Sequence, residues 1–210
     1  MKNVSSESRF DSLAREWDIA PQHVERTRDI AVLVRERIPL EGLSAIEVGA
    51  GTGLLSFALS DWLDKVVATD PSQGMVDVLE DKIRHIASPK LRALRCGDDL
   101  AEVEGTFDLA MLQMALHHIP DVPGFLRRIH GKLTTGGYLA IADLDTEDGS
   151  FHGPETKDIH LGFDRMALID WLAEAGFEPV SVETAHVVKR RVDGMSREYK
   201  VFLSISRKSG

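Results

Sequence analysis

The chain alternates two hydrophobic patterns. Segments 45–48, 65–70, 91–96, 107–113 and 138–143 are short, nearly unbroken apolar runs, the pattern of strands buried on both faces of a sheet. Between them, apolar residues recur at helical spacing: 54–59, then Val76, Leu79 and Ile83 behind a capping Ser72, then 120–133, then Met166, Leu168, Ile169, Leu172 and Ala173 behind Asp164. Gly176 ends the last of these. Two longer stretches, 178–192 and 196–207, meet across Asp193-Gly194, a strong hairpin signal. Ahead of the first strand, Phe10, Leu13, Ala14 and Trp17 predict a short amphipathic helix. Pro21 opens a second, whose Val24, Ile30, Ala31 and Val34 continue towards Ile38.

The rest is organised around Glu47-Val48-Gly49-Ala50-Gly51-Thr52-Gly53, where three glycines at alternate positions join a strand to a helix. That layout brings backbone N–H groups and a helix N-terminus close to a ligand. Glycine supplies the turn without steric penalty and has no Cβ to hold the ligand away. The next strand ends in Asp70, where a carboxylate can accept both hydroxyls of a ribose. Together these predict an adenosine-type cofactor. The spacing G-x-G-x-G departs from the G-x-G-x-x-G of dinucleotide folds.

Glu47–Gly53 resembles motif I of the class I S-adenosylmethionine-dependent methyltransferases. Ala68-Thr69-Asp70-Pro71-Ser72-Gln73-Gly74-Met75 resembles their second-strand acid and following helix. Gly97-Asp98-Asp99, Phe107-Asp108-Leu109 through Leu116-His117-His118-Ile119, and Leu133-Thr134-Thr135-Gly136-Gly137-Tyr138-Leu139 continue the likeness. It runs from about Phe10 to the C-terminal end and is nearest the small-molecule branch that includes the ubiquinone and menaquinone C-methyltransferases. The resemblance implies a three-layer α/β/α Rossmann-like fold on a seven-stranded sheet, six strands parallel and the last antiparallel. It implies a methyltransferase domain over 39–210, an N-terminal helical lid segment over 1–38, and a loop over 146–162 covering the acceptor. The implied reaction takes a methyl group from S-adenosyl-L-methionine to a small molecule and leaves S-adenosyl-L-homocysteine.

Carried onto this chain, Glu47 orients the glycine loop and the methionyl ammonium group. Gly49, Ala50, Gly51 and Gly53 line the methionyl and ribose portion, Asp70 with Pro71 takes the ribose, and Met75 lies against adenine. Gly97, Asp98 and Asp99 read the adenine edge, Gln113 and Met114 border the methyl-transfer chamber, and Trp17 touches the cofactor from the lid. These motifs are specific for the cofactor and do not name the acceptor.

Composition narrows the field further. The chain has 210 residues, 43% hydrophobic and 28% charged, as expected of one globular α/β domain. A net charge of −9 argues against a nucleic-acid partner, which calls for a basic face. The single Cys96 excludes an internal disulfide and any CxxC metal site, and reads as a small core residue. No apolar run approaches the ~20 residues of a membrane helix, and the polar first residues carry no signal-peptide pattern. A cytoplasmic protein is expected, with the polar residues before Ser8 disordered.

The acceptor is less legible. Nothing after the fourth strand matches the Asn/Asp-Pro-Pro-Tyr/Phe of amino-methylating enzymes. That strand ends in Gln113 rather than an acid, and Asp143 and Asp145 lack a third hard oxygen ligand, so no metal is expected. Methyl transfer is an in-line displacement at an activated sulfonium carbon, for which positioning alone can supply about 7–11 kcal/mol. The long polar loop after the fifth strand is expected to roof the acceptor, with His152 and His160 as candidate bases and Phe151 and Phe163 as further contacts. His117 and His118 are expected to include a packed core histidine. The basic residues of the hairpin, Lys189, Arg190, Arg191, Arg197 and Lys200, suit edge protection or a weak anionic contact. A non-catalytic S-adenosylmethionine-binding subunit or sensor stays open. So does a nicotinamide-dependent oxidoreductase, which the glycine spacing and the hairpin disfavour.

Overall fold

A computed structural model describes residues 6–152 and 159–210. Seven strands form one sheet in the order β3-β2-β1-β4-β5-β7-β6, where β1 is Ser44–Val48, β2 Lys65–Asp70, β3 Leu91–Arg95, β4 Phe107–Gln113, β5 Leu133–Leu144, β6 Phe177–Val192 and β7 Met195–Lys208. β1 to β5 pair in parallel, and β7 inserts antiparallel between β5 and β6. The chain order reverses between β1 and β4, and at such a switch point the C-terminal strand ends leave a crevice.

Period-two alternation sends neighbouring residues to opposite faces. Ala110, Leu112, Leu139 and Ile141 pack with Phe125, Ile129, Leu168 and Leu172, which come from α5 (Val122–Gly131) and α6 (Arg165–Glu174). Leu109, Met111, Ala140 and Ala142 pack with Ile30, Val34, Leu55 and Leu59, from α2 (Pro21–Arg37) and α3 (Leu54–Leu59). The result is the expected three-layer sandwich. α1 (Ser6–Leu13), a 3-10 turn over Ala14–Ile19, and α4 (Gln73–Ile86) complete the cofactor side. Among the described residues no helix is long and apolar enough to cross a membrane.

The pattern misplaces one element boundary. β5 begins at Leu133, which the helical spacing had claimed for the preceding helix, and Gly136 sits inside the strand at φ +76°. A glycine in the left-handed region absorbs a bulge there rather than making a turn. The second half of α2 also belongs to the core: Ile30, Ala31, Val34 and Ile38 are buried against the sheet-facing helix α3 and the strands. The segment before α2 and the first half of α2, through His23 and Arg26, border the crevice.

Candidate active site

The register Val48↔Thr69 sets β1 and β2 side by side, so the glycine loop and Asp70 emerge at one edge. Gly49 is at φ +69°, and a Cβ there would lie 2.5 Å from Ala115 Cβ, so only glycine lets β1 leave under the end of β4. The Gly51 N–H donates to Asp70 Oδ2 at 2.8 Å, and the Ser72 N–H donates to Oδ1 at 2.9 Å. Glu47 is buried, and its Oε2 accepts from the Ser56 N–H at 2.9 Å and from the Ser56 hydroxyl. Burial pushes its carboxyl up to about 7 against those two hydrogen bonds.

Two acids latch the N-terminal segment over this edge. Asp11 Oδ1 accepts from the Ser72 hydroxyl at 2.6 Å and from the Gly74 N–H at 2.9 Å. Asp18 accepts from the Thr52 hydroxyl at 2.5 Å and pairs with Lys82 at 2.7 Å. Between the latches, Phe10 and Trp17 meet edge to face, their ring centroids 5.9 Å apart.

Beneath them runs a cavity of about 620 Å³. Trp17, Glu47, Gly49, Ala50, Gly51 and Asp70 border it, as do Pro71, Met75, Gly97, Asp98, Gln113 and Met114. The expected cofactor residues are thus gathered in one space, with two exceptions. Gly53 stands behind the loop at φ +82°, where a Cβ would meet Leu79 Cδ1 at 2.4 Å, so it serves the packing of α3 on α4. Asp99 is exposed, and its Oδ1 accepts from the Ala101 N–H at 3.3 Å. Asp98 Oδ2 accepts from Arg128 at 3.0 Å, which fixes it at the cavity wall.

The two candidate bases part company. His152 borders the cavity. His160 does not; its Nε2 lies 3.0 Å from the Ile119 carbonyl oxygen and its backbone N–H donates to the His117 carbonyl at 2.9 Å. Phe151 lines the cavity, whereas Phe163 is in the core. Positions 153–158 of the loop expected to cover the acceptor lie outside the described residues, as do positions 1–5, the start of the segment expected to be disordered.

His117 and His118 join His152 at this end. The rings of His117 and His118 are 4.2 Å apart by centroid, and those of His117 and His152 are 4.8 Å apart. His117 Nδ1 lies 2.7 Å from Asp143 Oδ1, and Asp143 also accepts from the backbone N–H groups of His117 and Leu144. Burial alone would raise the Asp143 carboxyl, but the charge and hydrogen bond of His117 and the backbone donors win, and it is held below its ordinary value. His117 Nε2 has no hydrogen-bond partner among the described residues. Burial, reinforced by positive neighbours, pushes His118 down to about 3 and His152 to about 4, so both stay neutral at physiological pH.

Arg26 and Arg190 also border this end; the sequence offers Arg190 only for edge protection or a weak anionic contact and does not single out Arg26. Their signals were periodicity. Arg26 shares a face of α2 with Ile30, and Arg190 shares a face of β6 with buried Val188. Three imidazole nitrogens within 4.8 Å of one another would geometrically suit a divalent cation. With Arg9, Arg26 and Arg190 bordering the same end, the local charge favours an anion instead.

The segment 46–141 matches the family profile described as a methyltransferase domain. An uncharacterized methyltransferase of Schizosaccharomyces pombe is 32% identical over 149 residues, 67% of this chain and 50% of that protein. The chain carries a methyltransferase domain. A ubiquinone biosynthesis O-methyltransferase of Azorhizobium caulinodans is 27% identical over 163 residues, covering 70% of this methyltransferase and 64% of its own length. The chain therefore spans between half and two-thirds of these curated relatives. A solved S-adenosylmethionine-dependent methyltransferase from Aquifex aeolicus superposes with a TM-score of 0.71 at 20% identity, over 94% of this chain and 97% of that one. At that identity the likeness concerns the fold.

Proposed function

We propose that the chain transfers a methyl group from S-adenosylmethionine to a hydroxyl of a small molecule. The observation that carries this is one continuous cavity joining the Asp70 edge of the glycine loop to the His117–Asp143 pair. On this reading Glu47, Gly49, Ala50 and Gly51 take the methionyl portion, Asp70 and Pro71 the ribose, and Met75, Gly97 and Asp98 the adenine. Gln113 and Met114 border the methyl group. The segment through Trp17 is a lid, and the loop carrying Phe151 and His152 roofs the acceptor. Hydroxyl acceptors fit the quinone O-methyltransferases among the relatives.

His117 then acts as the base. In its neutral form the ring donates Nδ1–H to ionised Asp143, which leaves Nε2 as the proton acceptor. As the acceptor oxygen attacks the methyl carbon, the carbon–sulfur bond breaks and its electron pair stays on sulfur. The hydroxyl proton passes to Nε2. The products are the methyl ether and S-adenosylhomocysteine. Removing water and aligning the reactants is the larger share of the work.

Calorimetry with S-adenosylhomocysteine and with NADH tests the cofactor class. Micromolar binding of the first and none of the second is expected. Tighter binding of NADH would sink the methyltransferase reading.

A further inference from the structure

Arg26 carries a charge that this chemistry does not use. Its side chain is 5% exposed and borders the cavity. Among the described residues it makes no hydrogen bond or ion pair, and its Nε is buried without a partner. A buried guanidinium is ordinarily matched by a carboxylate. The nearest favourable charge is Asp143, whose oxygens already serve His117 and the Leu144 N–H. Burial lowers Arg26 only to about 10, so it remains a cation at neutral pH.

Arg190, on β6, borders the same space. Its guanidinium carbon lies 4.0 Å from the centre of the Phe151 ring, and Nη1 donates to the Phe151 carbonyl. Arg9, His117 and the neutral imidazoles of His118 and His152 border the same end. The carboxylates that border the cavity are Glu16, Glu47, Asp70 and Asp98, and none pairs with Arg26. A planar guanidinium presents parallel N–H donors that match an oxyanion in two bonds.

We propose that Arg26, assisted by Arg190, binds a carboxylate of the methyl acceptor, so that the substrate class is a hydroxy acid with its carboxylate at this end of the cavity. The inference rests on the methyl-transfer reading. The methionyl carboxylate of the cofactor is the other source of the same chemistry, and the charge neighbourhood separates the two. The neighbours of Arg26 are Asp143 and Arg190, while those of Glu47, at the methionyl position, are Asp70 and Lys82. The guanidinium therefore belongs to the acceptor end. The arrangement also explains a basic residue facing inward on an edge strand, where charge protection alone would place it outward.

The test uses benzoate and benzamide as probes on protein saturated with S-adenosylhomocysteine. Benzoate is expected to bind saturably by calorimetry and to shift the Arg26 Nε resonance, and benzamide to do neither. Arg26→Met should weaken benzoate at least tenfold, leave S-adenosylhomocysteine within threefold, and leave the unfolding temperature unchanged or raised. Arg26→Lys should recover part of the benzoate affinity. Absence of benzoate binding to the wild type, or equal binding by Arg26→Met, overturns the proposal. So does a tenfold loss of S-adenosylhomocysteine affinity in Arg26→Met with 5′-methylthioadenosine unaffected, which would assign the guanidinium to the cofactor's own carboxylate. A lowered unfolding temperature in Arg26→Met with no change in benzoate binding would make Arg26 a structural partner of Asp143. If the wild type binds benzoate but no S-adenosylhomocysteine, the methyl-transfer reading fails while the anion site stands.

Discussion

His117 Nδ1 lies 2.7 Å from Asp143 Oδ1, with both side chains buried at the adjoining ends of β4 and β5. The register Gln113↔Ala142 puts these strand ends level, and Asp143 then reaches both the ring and the backbone N–H of His117. The histidine is held at two points, and its remaining nitrogen, Nε2, has no hydrogen-bond partner among the described residues.

His117→Ala is therefore expected to lower turnover by about 10²–10⁴-fold, the usual worth of a positioned base. Cofactor affinity should stay within about threefold, a change below roughly 0.7 kcal/mol. Asp143→Asn should lower turnover as well, with the loss depending on pH because the imidazole tautomer is no longer fixed. Single-turnover rates paired with calorimetry check both. Full activity in His117→Ala would return this histidine to a packing role.

Asp70 accepts from two backbone N–H groups, and on the proposed reading it takes the ribose. Asp70→Ala removes at least one bond to a charged acceptor, worth about 1.5–3 kcal/mol. S-adenosylhomocysteine should bind roughly tenfold or more weakly. Unchanged affinity in a folded variant would place the ribose elsewhere.

Glu47 gives a pH signature. Its carboxyl, raised from 4.5 to about 7, is protonated in the free protein at mildly acidic pH. The cofactor's ammonium group should ionise it. Binding then releases a proton below pH 7, and affinity should rise about tenfold per pH unit before levelling off above that value. The same shift makes the favourable contribution to stability complete below the unfolded value of 4.5 and lost as pH rises through about 7. Glu47→Gln should flatten both profiles. Calorimetry in buffers of different ionisation enthalpy counts the proton directly.

Gly49→Ala would set a Cβ against Ala115 Cβ at 2.5 Å, at a backbone angle of φ +69°. A side chain there carries a strain of order 1–3 kcal/mol, and the clash adds to it. Denaturant unfolding should show a lowered midpoint with an unchanged slope. Gly194→Ala, also at positive φ but with nothing near its Cβ, separates the strain from the clash.

Features decided within a few residues were present in the chain itself. The glycine spacing, the acid ending β2, the helix caps at Ser72 and Asp164 and the Asp193-Gly194 turn are local, because backbone conformation and capping depend on near neighbours. They were enough for the fold, the cofactor class and most of the residues that the structure gathers around one cavity. Side-chain meetings across the sheet were decided only by tertiary packing. Whether His152 or His160 entered the cavity depended on how the loop after β5 returns to the Ile119 carbonyl. The pairing of His117 with Asp143 depended on the β4–β5 register, and the convergence of Arg26 with Arg190 on how α2 lies against the sheet. Each of these is a contact between residues distant along the chain, and periodicity can say which face a residue occupies but not what it meets there.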